Sequence, residues 1–227
     1  MNRAALFDVD GTLADTNHLH VVCWWEALRQ AGHTVATHDI HRAIGLPGDD
    51  LLAHLLGEDR DTDEDDALTT AHDTLYATWF DRLAATSGAA DLLRALDERG
   101  WRVVLVTSAG SGELGALRRA VGADDAIAAT ASADDVEAGK PAPDPVAHAL
   151  GLVDAAAGDA VFVGDTVWDM EAAARAGVVP VGLLCGGIPR RDLEGAGARA
   201  VYGDPADLLR GLEGSPFAEV SGDAEKR

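Results

Sequence analysis

Five short apolar runs, at residues 4–9, 101–107, 126–130, 160–164 and 178–184, are separated by stretches with helical spacing, and a cluster of Gly, Ser, Asp or Pro follows each. Runs too short to be helices that recur between helical patterns predict strands wound with helices on both faces. The expected fold is therefore α/β: a doubly wound, Rossmann-like parallel-sheet core.

About ninety residues separate the first two runs, far more than a βαβ crossover needs. An inserted all-helical domain accounts for them. Val21, Val22, Trp24, Trp25 and Leu28 recur on one side of a first helix, Leu51, Leu52, Leu55 and Leu56 on a second, and Leu75, Trp79 and Leu83 on a third. The insert is expected at residues 15–86, with the core at 1–14 and 87–213. "SGAADLLRALDERGWRVVLVTS" then reads as a helix stopped at Gly100 and a buried strand. The end, "GSPFAEVSGDAEKR", has turn formers, charge and little periodicity, so residues 214–227 are expected to be a flexible tail.

The chain carries 18 Lys and Arg against 39 Asp and Glu, a formal charge of -21 over 227 residues. That balance gives no basic footprint for nucleic acid or for an anionic membrane. Cys23 and Cys185 are far apart with no CxxC spacing, which points away from a disulfide framework or a zinc site and toward a reducing cytoplasm. No stretch approaches 18 uninterrupted apolar residues, and an acidic pair eight residues in leaves no room for a removable signal peptide, so residue 1 is expected near the mature start.

That pair, Asp8 and Asp10, ends the first apolar run. Like charges about 4 Å apart repel by roughly 4 kcal/mol at an effective dielectric near 20, so the pair calls for a cation or a shared proton. Thr107 and Ser108 end the second run, and Asp165 and Asp169 follow the fourth in "GDTVWDM". Ligands of open α/β sheets collect outside the carboxyl ends of strands, so these groups are expected to converge. Residues 8 and 10 share a side of an extended segment and 165 and 169 can meet one face of a loop and first turn, which predicts four carboxylates around one hard cation. Magnesium suits such a ring, because it takes oxygen ligands and typically binds through carboxylates plus a substrate phosphate. Lys140 of "GKPAPDP" is one of two lysines, the other being Lys226, and Gly139 and Pro141 would fix a loop that carries its ammonium inward. Thr107 and Ser108 could donate hydroxyl or backbone N–H groups to a phosphoryl oxygen.

With "DVDGT", a strand ending in Thr107, Lys140 in "GKP" and "GDTVWD" in that order, the chain resembles the haloacid dehalogenase superfamily of phosphatases and phosphomutases over nearly its whole length. The insert stands where that family places its helical cap. The resemblance implies that Asp8 is the nucleophile that becomes an aspartyl phosphate, and that Asp10 protonates the leaving oxygen and later activates water. It implies that Thr107 and Lys140 hold phosphoryl oxygens, and that Gly11, Thr12, Ser108 and His20 line the substrate site. Asp8, the backbone carbonyl of Asp10, Asp165 and Asp169 would hold Mg2+, the last as a ligand or through water. The dehalogenase branch lacks the second acid, so the chain resembles the phosphate-transferring branches.

"EDRDTDEDD", residues 58–66, lacks the Gly and Glu of a calcium loop and reads as a solvated acidic loop. Trp24, Trp25 and Trp79 fit cap packing. His20 in "DTNHLHVVCWW" resembles a residue that controls the acid Asp in β-phosphoglucomutases, whereas "GLPGDD" lacks the Arg with which such mutases grip a phosphate. The expected function is a Mg2+-dependent phosphatase acting on a small ester such as phosphoglycolate or a sugar phosphate. A phosphomutase and a receiver-like phosphoacceptor module are the alternatives.

Overall fold

The computed structural model describes residues 2–224. Six parallel strands, β1 (Asn2–Phe7), β2 (Trp101–Val106), β3 (Ile127–Ala131), β4 (Ala155–Gly164), β5 (Val179–Leu183) and β6 (Ala200–Tyr202), form one sheet in the order β3-β2-β1-β4-β5-β6. The order reverses between β1 and β4, which opens a crevice at their carboxyl ends. All five expected strands are present. The sixth escaped the reading because β6 is a half-buried edge of only three residues, "AVY". β4 starts earlier than the apolar run because its first half, "AAAGD", alternates in burial and carries little apolar weight.

Four helices, α1 (Asn17–Gln30), α2 (Thr37–Ala43), α3 (Gly48–Leu56) and α4 (Asp65–Ala77), lie between β1 and the crossover helix α5 (Ala89–Glu98). The rest are α6 (Ser111–Val121), α7 (Asp144–Leu152), α8 (Val167–Arg175), α9 (Arg190–Gly195), α10 (Pro205–Arg210) and α11 (Pro216–Ala224). Strand side chains alternate between the faces. Ala5, Phe7, Val103, Leu105, Val161 and Val163 pack with α5, α6, α10 and α11, whereas Ala4, Leu6, Val104, Val106 and Phe162 pack with α7 and α8. Both faces are thus buried, which is why these strands read as continuous apolar runs.

The C-terminal segment corrects an expectation: it is no frayed tail, although residues 225–227, with Lys226, lie outside the described residues. In α11, Phe217 and Val220 stand three apart on one face and are buried in the core, with Phe217 edge-to-face on Trp101 at 4.9 Å and 84°. Two apolar residues in a polar stretch are a weak signal, but one helical turn aligns them. Phe217→Ala is expected to cost about 3 kcal/mol or more in a denaturant titration; a change within about 0.5 kcal/mol is what a solvent-facing residue would give.

The inserted helices have their own core, in which Val21, Trp24, Leu28, Ile40, Leu51, Leu52 and Leu68 meet. Val22 and Trp25 face outward, at 52% and 41% exposure, because the buried side of α1 runs through 17, 20, 21, 23, 24, 27 and 28. The third stripe also differs: α4 stops at Ala77, and Leu68, His72 and Tyr76 carry its buried side rather than Leu75, Trp79 and Leu83. In the acidic run 58–66, Asp65 is buried because Arg60, within the same run, grips its carboxylate at 2.7–3.1 Å. The chain leaves and re-enters the core through paired segments, with Ala14 bridging Ala85, Asp15 N donating to Ala84 O at 2.9 Å and Thr86 N to Leu13 O at 2.9 Å. We propose that the cap be counted between them, at residues 15–86. It sits down on the core: Trp168 Nε1 donates to Arg42 O at 3.2 Å, and His41 Nε2 lies 2.8 Å from Gly186 O. Among the described residues no helix is long and apolar enough to cross a membrane.

Candidate active site

Asp8 follows β1 directly and is still tied to the sheet, its N–H donating to Val163 O at 2.9 Å. Its side chain is buried at the carboxyl end of β1. Lys140 reaches it from the loop before α7. The Lys140 Nζ is buried and donates to Asp8 Oδ1 at 2.5 Å and to Asp169 Oδ1 at 2.8 Å. Asp169 is held on its other oxygen by Thr166, whose N–H and hydroxyl donate to Oδ2 at 3.0 and 2.6 Å in a capping box that starts α8.

Asp165 takes hydrogen bonds from Thr12 Oγ1 and Asn17 Nδ2, each at 2.8 Å. Two glycines make room for it. Gly11 has φ +79°, and a Cβ there would lie 2.5 Å from Asp165 Oδ2; a Cβ on Gly186 would lie 1.7 Å from the same oxygen. Thr12 thus bonds Asp165 and Gly11 leaves room for it, and neither borders the cavity between cap and core. Asn17, on the first turn of α1, went unread because its partner is 148 residues away.

The expected ring of four carboxylates is a ring of three. Ligand oxygens of Asp8, Asp165 and Asp169 lie within 4.8 Å of one another, all buried. The Asp10 side chain turns away after β1 ends, where it accepts from Thr16 Oγ1 at 2.7 Å and lies 3.2 Å from His20 Nε2. The cause is the tight turn after Val9, whose carbonyl accepts from the N–H groups of Thr12, Leu13 and Ala14 and ends the extended geometry that residues 8 and 10 would need to share a side.

Burial and mutual repulsion set the charges of these groups. Burial, reinforced by Asp169 and Asp165, raises the Asp8 carboxyl well above the carboxylate range although Lys140 opposes it. Burial and Asp169 push Asp165 up to about 7. Burial would lower the Lys140 ammonium, but Asp169 and Asp8 outweigh it and hold it above the ordinary lysine value. Three carboxylates against one ammonium leave a formal charge of -2. A hard divalent cation taking oxygen ligands fits this donor set in charge and in kind.

At Asp10 the balance runs the other way: burial would raise it, and the hydrogen bond and charge of His20 with the Thr16 hydroxyl hold it below the usual range. His20 is correspondingly raised, the Asp10 contact outweighing burial. Beyond it, His20 Nδ1 lies 3.1 Å from His72 Nε2, and Glu113 Oε1 stands 3.6 Å from His20 Nε2. Burial and the Asp10 carboxylate push Glu113 up to about 8. Neither His72 nor Glu113 belongs to a readable motif. Their partners lie on other elements.

These groups meet at a cavity of about 430 Å³ between cap and core, bordered by Asp8, Asp10 and Lys140 below and by Trp24, His72 and Tyr76 above. Ser108 and His20 border it as expected. Thr107 borders a smaller cavity beside Ser108 and Lys140; its N–H is spent on Ala131 O, and its hydroxyl accepts from Ala109 N at 3.0 Å, so the hydroxyl proton alone remains to offer. Of the expected tryptophans, only Trp24 is buried in the cap.

Residues 2–177 match the family model for haloacid dehalogenase-like hydrolases. The chain is 31% identical over 221 residues to a phosphoglycolate phosphatase of Rhodospirillum rubrum, covering 92% of this chain and 90% of the relative. Its fold is similar to that of a hydrolase from Pseudomonas syringae, with a TM-score of 0.89, 35% identity and coverage of 93% and 98% of the two chains. It is also similar to CbbY from Rhodobacter sphaeroides in complex with phosphate, with a TM-score of 0.78, 27% identity and coverage of 94% and 100%. A match that takes in both sides of the crevice, from Asp8 to Asp169, leaves one conclusion: this enzyme belongs to the haloacid dehalogenase-like hydrolases.

Proposed function

We propose that the protein is a Mg2+-dependent phosphatase that hydrolyses a small phosphorylated metabolite, phosphoglycolate-like or sugar-phosphate-like, through an aspartyl phosphate on Asp8. The observation that carries this reading is Lys140, buried and bonded to both Asp8 and Asp169 at the floor of a cap-covered cavity. Asp8, Asp165, Asp169 and the backbone carbonyl of Asp10 would hold the ion. When bound, it supplies positive charge that lets a phosphate dianion approach three carboxylates.

The chain's own residues then divide the work. An Asp8 oxygen attacks phosphorus as the ester P–O bond breaks, and Asp10 gives a proton to the departing oxygen. Lys140 and the hydroxyls of Thr107 and Ser108 steady the charge on the transferring phosphoryl oxygens. In the second half Asp10 takes a proton from water, whose oxygen attacks phosphorus; the P–O bond to Asp8 breaks, and inorganic phosphate leaves. Asp10 is held ionised in the free enzyme and His20 is raised beside it at 3.2 Å, so the proton that Asp10 gives in the first half is drawn from the His20 imidazolium and returns to it after the second. The cap excludes bulk water and limits the substrate to small molecules. Two unpaired cysteines, Cys23 and Cys185, support a reducing cytoplasm as its compartment.

The contact of His20 with Asp10 favours a second reading, a phosphomutase of the β-phosphoglucomutase kind. The two part at the phosphoenzyme, which yields to water in one case and to a sugar phosphate in the other. A panel of phosphorylated metabolites with phosphate release as readout tests the proposal: release from at least one ester supports it, and phosphate transfer between sugar positions with none released favours the mutase. A receiver-like module has no use for a cavity between a cap and the core.

Asn17 offers a further check, since groups that orient metal ligands typically govern affinity by 10–100-fold. Asn17→Ala is expected to raise the Mg2+ concentration for half-maximal activity by about tenfold or more. An unchanged Mg2+ titration would remove Asn17, and with it Asp165, from the metal site.

A further inference from the structure

Away from Asp8, the cavity offers no cation free to meet a second anion. Among the described residues that border it, Lys140 is the only Lys or Arg, and it is committed to Asp8 and Asp169. His20 is committed to Asp10, and His72 Nδ1 lies 2.9 Å from Asp73 Oδ1 while burial lowers its pKa. The charged groups that face the space away from Asp8 and Asp10 are the carboxyls Asp73 from α4 and Glu113 from α6, beside the neutral hydroxyls of Thr69, Tyr76 and Ser108. The Thr69 and Tyr76 hydroxyl oxygens have no hydrogen bond, and of the two carboxyls the one with a buried oxygen likewise unpaired is Glu113. Its side chain is 18% exposed, its Oε1 is buried with no hydrogen bond, and its nearest charged neighbour is the His20 nitrogen already held by Asp10. A buried oxygen left unpaired costs about 1–3 kcal/mol, which a donor on a bound molecule would recover. Rings of Trp24, Tyr76 and Phe80 complete the wall and give a carbon skeleton something to lie against.

We propose that the substrate's leaving group is a non-anionic hydrogen-bond donor, bearing hydroxyl or ammonium groups and no second phosphate or carboxylate, and that Glu113 selects it. The inference rests on the phosphatase reading of the same site and narrows it. It also parts this enzyme from the relative named for phosphoglycolate, whose substrate carries a carboxylate. Placing that carboxylate beside Asp10 and Asp73 would set like charges together, at a cost of several kcal/mol, and the Glu113 carboxyl, raised by burial and by Asp10, would be no counter-charge for it.

The test compares glucose 6-phosphate, glucosamine 6-phosphate, 6-phosphogluconate and phosphoglycolate in two measurements with Mg2+ present. One is kcat/KM for phosphate release by the native enzyme; the other is the Kd of each ester for Asp8→Asn protein, which reports selection without turnover. The neutral and amino esters are expected to lead the two carboxylates by about tenfold or more in both. Glu113→Ala should raise KM for the sugar esters by about tenfold with a smaller change in kcat. Glu113→Lys should shrink or invert the preference, because it supplies the missing cation. A carboxylate ester that binds as tightly as glucose 6-phosphate overturns the inference, as does a Glu113→Ala loss confined to kcat and equal for all four esters. No phosphate release from any ester, with the order of Kd values retained, would strike the phosphatase reading and leave this inference standing.

Discussion

Asp8→Asn is expected to abolish turnover of an aryl phosphate, by about 10⁴-fold or more, while the protein stays folded. An amide nitrogen or oxygen cannot form the acyl phosphate, and removing a nucleophile from a covalent mechanism ordinarily costs at least that much. The fold should tolerate the change for reasons visible around the residue. Asn has the shape of Asp, the backbone bond from residue 8 to Val163 is untouched, and Lys140 keeps Asp169 as a partner. Burial already disfavours the charge on Asp8, and Asp165 and Asp169 repel it, so a neutral amide relieves part of the crowding. The check is a pair of measurements on one preparation, the rate of nitrophenol release and the thermal midpoint. Full activity would remove Asp8 as nucleophile, and a collapsed midpoint would make its role structural.

Lys140→Met is expected to lower kcat/KM by about a hundredfold or more, the effect of losing one donor to a transition state. It should also destabilise the protein, which Asp8→Asn should not. The ammonium is buried between two carboxylates, and removing one member of a buried ion pair typically costs about 3–5 kcal/mol because the other charge is stranded. Mg2+ should return part of that loss by neutralising the same oxygens, so the gap in thermal midpoint between variant and native protein is expected to narrow as Mg2+ rises. An unaltered rate would show that the GKP loop carries no part of phosphate handling.

The core of this account could be read from residues because both depend on local pattern. Runs such as "WRVVLV" are apolar throughout since the sheet buries both faces, and Asp8, Asp165 and Lys140 stand where strands and turns end. What could not be read is side-chain partnership across long separations. Asp10 was expected beside Asp8 from extended spacing, and the turn that accepts three N–H groups at Val9 sends it to Thr16 and His20. Thr12 was expected on the substrate, and its hydroxyl bonds Asp165, 153 residues away. Glu113 sits in a helix like any surface acid, and only the fold brings it within 3.6 Å of His20 on α1, 93 residues away. The same limit hid β6 and α11, whose few apolar residues acquire meaning from the edge and face they cover.

The claim beneath all of this is that Asp8, Asp165 and Asp169 become useful only with a divalent cation among them. Its most direct test is the rate of phosphate release from an aryl phosphate after thorough chelation and again after adding Mg2+. The account predicts activity reduced to background by chelation and restored by the ion. Hydrolysis at full rate in the chelated enzyme would contradict it.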